Sequence, residues 1–544
     1  MVSESVYSLI TKVVLLIGFP KSLLQNCRRG FDKSPKFSKF VTINTYYMKL
    51  RLFVLCAICT LASTSLLHAE PLKLAKIFSD HMIFQQQTSA PVWGWAEPNA
   101  KVVVKPSWGS RSYSVKADNE GAWRLSVETP AYGGPYSVKI TSGKERIELK
   151  DVLVGEVWVC AGQSNMEMPI EGFMRYSQPI VESVDTSLDA IHYGDKIRIF
   201  TVPKTSSDKA PLKDMESGAW QRASFESCSK CSAIAYHFAH IVNNATNIPM
   251  GVVVAAWEGT PIRPWTPRDS YEKALGELVN EGVVSKEMYD LRTAYSKPHK
   301  GRPTCAGSLY NGMIHPIKGF AARGFLWYQG CTNKKDYKFY NRLQAAMVAR
   351  WRAEWGDTEA KMPFYYVLIA PFLRKGNENN FARGYFVENQ ASASKIIPNC
   401  HYVATEGMGA KEVIHPADKR QVSRQLALLA LDRIYGVEGI CSGAPEVLKY
   451  SLVNRRYTFE FAPEKGIMTP PDEPIKGFEV AGEDRVFYPT TAYFRGGCKI
   501  VVRVPAEVAT PHAVRYSFRE DPESNVRSRF GFPLAPFRTD NWEL

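Results

Sequence analysis

The chain has 544 residues, with 68 Lys and Arg against 54 Asp and Glu and a formal net charge of +14; at about 150 residues per domain there is room for two to four folded units with substantial cores. Nine of those cations and two of the carboxylates precede Glu70, so the rest of the chain carries 59 against 52, a charge of +7, with no basic tract of the kind that binds nucleic acid. Eight of the 11 cysteines follow Ala69 without the spacing of a disulfide framework, and the single C-x-x-C, Cys228 to Cys231, has neither the second pair of a zinc site nor the preceding strand of a redox site, so neither a zinc nor a redox site is expected there.

Residues 1–47 contain an apolar patch, Val13 to Phe19, but no domain-sized pattern, and are read as an upstream segment, with Met48 the more natural start. Residues 48–69 open on Lys49 and Arg51, continue as an apolar run and end on small Ala69, the pattern of a secretory signal peptide. The expected destination is the periplasm or the exterior. Neither apolar patch has the length and flanks of a membrane span.

Residues 70–150 alternate apolar and polar side chains in short runs, such as Val92 to Trp95, Lys101 to Lys105 and Trp123 to Val127. Turn clusters at Asp118 to Gly121 and Gly133 to Pro135 separate them, which predicts a β-sandwich domain. Trp93, Trp95 and Trp108 are its core or a sugar-binding face. From Val152 the pattern changes. Val152 to Gly162 reads as a buried strand, Ala233 to Val242 as a helix, Met250 to Trp257 and Gly324 to Gln329 as strands, and Tyr337 to Trp355 as an amphipathic helix. Phe364 to Ala370 and Tyr402 to Thr405 are further strands, and Pro416 to Ile434 is a helix with proline in its first turn. Strands alternating with helices over 151–440 predict a mainly parallel sheet covered on both faces. Strand patterns resume over 441–544, a smaller β-rich region whose final Pro536 to Asp540 is expected to pack on the preceding domain.

In open α/β sheets the reactive crevice lies beyond the carboxyl ends of the strands, and four strand ends here carry polar motifs. Ser164, after the Val152 strand, is the candidate nucleophile, and it requires a base within hydrogen-bond reach. Of ten histidines, His237 and His240 fall within a helix and suit structural roles, whereas His315 and His415 are both His-Pro. His415 is favoured because a helix follows it directly. A developing oxyanion needs aimed donors: the backbone N–H of Gly259 and a side-chain amide from Gln329 or Asn333 qualify, with Gln163 beside the serine completing the candidate oxyanion and substrate-binding set.

These residues fall in longer blocks: G-Q-S-N-M (Gly162 to Met166), W-E-G-T-P-I-R-P-W (Trp257 to Trp265), L-Y-N-G-M-I-H-P (Leu309 to Pro316), W-Y-Q-G-C-T-N (Trp327 to Asn333) and I-H-P-A-D-K (Ile414 to Lys419). A-V-R-Y (Ala513 to Tyr516) and G-F-P-L-A-P-F-R-T-D (Gly531 to Asp540) close the series. In this order they resemble the sialate O-acetylesterases, a branch of the SGNH hydrolases, over residues 72–544. The resemblance implies an SGNH-type three-layer α/β/α catalytic domain with a parallel sheet. It also implies an exported, cofactor-free serine esterase that removes O-acetyl groups from a sugar, first of all O-acetylated sialic acid. An acetylxylan or other sugar acetylesterase, and a carbohydrate-binding protein without turnover, are the alternatives. It favours His415 over His315. It also places the acid that orients the histidine three residues earlier, at Glu412, with Glu406 and Asp418 as alternatives. The chain departs from the family pattern at Cys331, where glutamate is usual, and at Glu258, where glycine is usual.

Overall fold

The computed structural model describes residues 71–174, 177–373, 380–409 and 412–544; the upstream segment and the signal pattern at 48–69 lie outside the described residues. The first 18-residue run of uninterrupted extended chain, Glu145–Gly162, organises everything around it. Before it come seven short strands, β1 (Lys73–Leu74), β2 (Ile83–Gln85), β3 (Ser89–Trp95), β4 (Lys101–Pro106), β5 (Tyr113–Lys116), β6 (Ala122–Glu128) and β7 (Gly133–Ser142), so the long strand is β8. β1, β3 and β6 form one antiparallel sheet, while β4, β5 and β7 pair antiparallel in the order β5-β4-β7, and β7 pairs antiparallel with the first half of β8. β8 therefore runs unbroken across the 150/151 boundary suggested by the change in sequence pattern.

The second half of β8 is the centre of the main sheet. Its neighbours are β9 (Ile197–Thr201), β10 (Gln221–Arg222), β11 (Met250–Ala256), β12 (Gly324–Tyr328), β13 (Phe364–Val367) and β14 (Cys400–Val403), in the order β10-β9-β11-β8-β12-β13-β14. All pairs are parallel except the edge pair β9/β10. Successive side chains of a strand point to opposite faces, and both faces here are apolar: Val157, Val159 and Ala161 enter one core, Trp158 and Cys160 the other. Such a sheet must be covered twice. Helices α2 (Ala233–Thr246) and α6 (Arg420–Arg433) cover the Trp158 face, and α3 (Arg268–Asn280), α4 (Tyr340–Glu354) and α5 (Ala382–Ile396) the other; α1 (Ser164–Glu167) is a single turn at the end of β8. α2 starts where Ser232 accepts a hydrogen bond from Ala235 N and stops at left-handed Asn247.

Where β8 passes from the small strands into the main sheet it carries a fully buried carboxylate. Glu156 accepts from Gln85, Gln86, Tyr435 and, at 2.6 and 2.7 Å, from Arg323. A buried charge is tolerated when every lone pair is occupied, and this one joins residues from three parts of the chain.

The helix expected from Pro416 begins at Arg420 instead, because residues 416–419 are held in irregular conformation by the buried Lys419 described below. The helix expected from Tyr337 begins at Tyr340, after a 3₁₀ segment, Cys331–Asp336. Strand β9 and helix α5 carry no strong periodic signal; α3 does, with Tyr271, Ala274, Leu275 and Leu278 buried at helical spacing, and is an addition to the expected elements. After residue 440 two antiparallel four-stranded sheets enclose a separate core around Phe459, Phe478 and Tyr516. They grip α5: Glu520 accepts from Arg383 N and Lys334, Arg538 pairs with Glu388, and Tyr385 donates to Trp542 O. The molecule is thus mixed α/β, with one large mixed sheet and additional β-sheets at its carboxyl end. Among the described residues no helix is long and apolar enough to cross a membrane.

Candidate active site

β8 ends at Gly162, whose φ of 145° and contact with β12 leave no room for a side chain: a Cβ would lie 2.3 Å from Tyr328 O. The chain then turns into α1, so Ser164 is the first residue of a helix. The first N–H groups of a helix have no partner within it, and the Ser164 N–H has no acceptor among the described residues; nor does the Ser164 hydroxyl, although the residue is only 5% exposed. One strand away, β11 ends in Trp257-Glu258-Gly259. Gly259 has a left-handed φ of 66°, the region where glycine carries no steric cost, and its N–H likewise has no acceptor among the described residues. Glu167, in the last position of α1, ties the two strand ends together by accepting from Glu258 N at 2.5 Å and pairing with Lys204 at 2.6 Å.

His415 arrives from the loop before α6. Asn165 joins that loop to the serine turn: its Nδ2 donates to Ile414 O at 3.1 Å and its Oδ1 accepts from Lys419 Nζ. The imidazole lies edge-on to Phe173, centroids 5.2 Å apart, and its Nδ1 is 2.9 Å from Gln178 Oε1. An amide oxygen only accepts, so the Nδ1 that faces it carries a proton.

The partner of Nδ1 is Gln178, 237 residues away in sequence, whereas Glu412 is exposed, has a left-handed φ of 61° and makes no hydrogen bond to a described residue. Its alternatives are committed elsewhere. Glu406 is 1% exposed and paired with the equally buried Arg383, and Asp418 accepts from Arg420 N and Gln421 at the start of α6. Glu412→Gln is accordingly expected to keep kcat on p-nitrophenyl acetate within about two-fold. Gln178→Ala should lower kcat by about 10- to 100-fold by releasing the ring from its tautomer and orientation. The reverse ranking would return the role to Glu412.

Gln163, Gln329 and Asn333 are brought together, but as a network. Gln163 Oε1 accepts from Gly330 N and Gln329 Nε2; Gln329 Nε2 also reaches Thr260 O and Asn333 Oδ1, and its Oε1 accepts from Tyr340. Asn333 donates to Asp336 at 2.6 Å and accepts from Ile262 N at 3.0 Å. The amides of Gln329 and Asn333 hold the ends of β8, β11 and β12 in register and are spent in doing so, which leaves the backbone N–H groups of Ser164 and Gly259 and the side-chain NH2 of Gln163 as donors without an acceptor among the described residues. The rival histidine, His315, is engaged with Leu212 O, and burial lowers its pKa. Cys228 and Cys231 are buried thiols that burial pushes up, Cys228 to about 12, far from the thiolate form that binds metal.

Sequence reasoning missed Lys419. It is 1% exposed, and burial lowers its pKa to about 7, against smaller opposing pulls from Cys331 and Asp418. Burial also raises the Cys331 thiol to about 11, so the residue standing where a glutamate is usual in the family supplies no anion to the lysine at neutral pH. The clue was the last letter of I-H-P-A-D-K, in a block already singled out for its histidine. Beside this site, Glu167, Phe173, Lys204 and Ala256 help to line a cavity of about 400 Å³.

A strand-end serine, two open backbone donors and a flanking cavity are compatible with a hydrolase, and the comparisons with known proteins give the class as a carbohydrate esterase. A crystal structure of a carbohydrate acetylesterase from Xanthomonas citri is similar to 87% of this chain and 100% of its own, with 30% identity and a TM-score of 0.74. The family described as carbohydrate esterase, sialic acid-specific acetylesterase, matches residues 154–428, and the chain belongs to that family. It is 26% identical over 430 residues to the sialate O-acetylesterase of Rattus norvegicus, covering 70% of this chain and 77% of the relative, and 26% identical over 414 residues to that of Homo sapiens, covering 70% and 74%.

Proposed function

We propose that this carbohydrate esterase is exported and removes O-acetyl groups from sialic acids through a serine acyl-enzyme. Ser164 Oγ attacks the acetyl carbonyl while His415 Nε2 takes its proton. The carbonyl oxygen, now negative, accepts from the Ser164 and Gly259 N–H groups, each such donor being worth about 3 kcal/mol in the transition state. As the tetrahedral adduct collapses, the bond to the sugar oxygen breaks, and His415 returns the proton to that oxygen, releasing the deacetylated sugar. Water, deprotonated by the same imidazole, then attacks the acetyl-serine; acetate leaves and the hydroxyl is restored.

The observation that carries this reading is a pair of backbone N–H groups at the ends of adjacent parallel strands β8 and β11, next to a serine hydroxyl, none of which has a hydrogen-bond partner among the described residues. The same reading takes residues 151–440 as an SGNH-type three-layer domain, the strands of 70–150 as a β-sandwich, and 48–69 as the export signal. The test is acetate release by exported protein from O-acetylated N-acetylneuraminic acid, acetylxylan and p-nitrophenyl acetate. N-terminal sequencing of the same sample should begin at or near Glu70. Preference for the sialic acid is expected; preference for acetylxylan would reassign the sugar, and no acetate from any of them would leave only a binding role.

A further inference from the structure

We infer that Arg302 is a specificity-determining residue that selects substrates carrying a carboxylate near the acetylated position. The inference rests on the esterase reading of the Ser164 site and names the class of sugar that site accepts. Arg302 closes a tight turn in which His299 and Arg302 exchange two backbone hydrogen bonds of 3.0 Å, and from that turn its side chain lies across Gly259. A Cβ on Gly259 would be 2.6 Å from Arg302 Cδ and Nε and 2.9 Å from Cζ. The guanidinium therefore rests on the residue that offers an oxyanion donor, and any substrate bound with its acetyl carbonyl at Gly259 N–H has this cation beside it.

What holds the arginine there is the departure at position 258. Glu258 Oε1 accepts from Arg302 Nη2 at 3.1 Å; the carboxylate is 13% exposed and the guanidinium 32%. The acid is the inner partner and the base the outer one. A guanidinium has five N–H donors, and Glu258 is the only acceptor it meets among the described residues, so an edge suited to bidentate carboxylate recognition faces the solvent side of the site. The neighbouring pair repeats the arrangement, with Glu167 16% exposed and Lys204 40%, the ammonium 5.8 Å from the centre of the Trp257 ring. Two inner carboxylates thus hold two outer cations around one tryptophan at the strand end. Neutral sugars make no use of either cation, whereas a carboxylate competes with Glu258 for the free donors of Arg302.

The test compares wild type and Arg302→Met on three substrates: O-acetylated N-acetylneuraminic acid, its C1 methyl ester, which keeps the acetyl group and removes the charge, and p-nitrophenyl acetate. Wild type is expected to favour the acid over its methyl ester, and the variant to lower that ratio of kcat/KM by about 10- to 100-fold, as loss of a charged hydrogen-bond partner does, mainly through KM. A variant that loses acid and ester activity equally would make Arg302 a prop for the Gly259 turn. A wild type indifferent to the methyl ester, or a ratio unchanged by the substitution, would likewise overturn the inference while leaving the esterase reading intact. Wild type inactive on p-nitrophenyl acetate as well as both sugars would overturn that reading and this one together.

Discussion

Ser164→Ala is expected to reduce kcat on p-nitrophenyl acetate by about 10⁴-fold or more, the scale on which serine hydrolases respond to loss of the nucleophile, with stability held within about 0.5 kcal/mol. Both halves come from the same geometry. The hydroxyl is bonded to nothing among the described residues, so its removal orphans no partner and opens no cavity; the N–H that faces the oxyanion belongs to the backbone and survives. Intact-mass analysis during turnover should show an acetyl adduct on wild type and none on the variant. An alanine enzyme with wild-type turnover would remove Ser164 from the chemistry.

The second large effect is expected at Lys419, and it depends on pH. Its folded-state pKa, about 7, lies below the ordinary 10.5 because burial disfavours the ammonium. The lysine therefore costs stability in full below pH 7, where both folded and unfolded chains are protonated. Between pH 7 and 10.5 the unfolded chain holds the proton that the folded chain has released, so this contribution to stability rises with pH until the cost is gone. At about 1.4 kcal/mol per pH unit the full cost is on the order of 5 kcal/mol. Lys419→Met removes it but leaves the Asn165 carbonyl without its donor, which costs about 1–3 kcal/mol. The variant is thus expected to melt above wild type at pH 6 and near it at pH 9, while kcat falls at both because Asn165, keeping only its bond to Ile414 O, holds the Ser164 turn to the His415 loop less firmly. Cys331→Glu should do the converse, pairing the lysine and flattening the pH dependence of Tm. A Tm difference between Lys419→Met and wild type that is the same at pH 6 and pH 9 would show that the lysine is not charged and buried as described.

Both effects arise from groups that a linear reading weighs unequally. Ser164, Gly259 and His415 were legible because each stands at the boundary of a strongly apolar strand or beside a proline, where local pattern alone marks a strand end; the polar residue there has a restricted set of positions in a parallel sheet. Strands β11 to β14 and helices α2, α4 and α6 were legible for the same reason, since a strand buried on both faces must be apolar at every position and a covering helix must be apolar on one stripe. Short elements such as β9, and helices such as α5 that bury arginine and glutamine, lack that signature. The residue that orients His415 was not legible. A hydrogen bond between positions 178 and 415 leaves no trace in spacing, and the expectation of Glu412 rested on a three-residue interval that a left-handed turn does not carry to the ring.

By itself, then, the sequence determined the class of fold, the family and the strand-end positions of Ser164 and Gly259, because these follow from hydrophobic periodicity and local turn chemistry, which act over a few residues. Only the tertiary structure decided which polar groups are spent and which are open. Gln329 and Asn333 look like donors in sequence and are consumed by one another and by Asp336; Lys419 looks like a surface lysine and is buried against Asn165; Glu258 looks like an intrusion and anchors Arg302. A hydrogen-bonding group can be used only once, and which partner uses it is set by distances between segments that meet only when the sheet is complete.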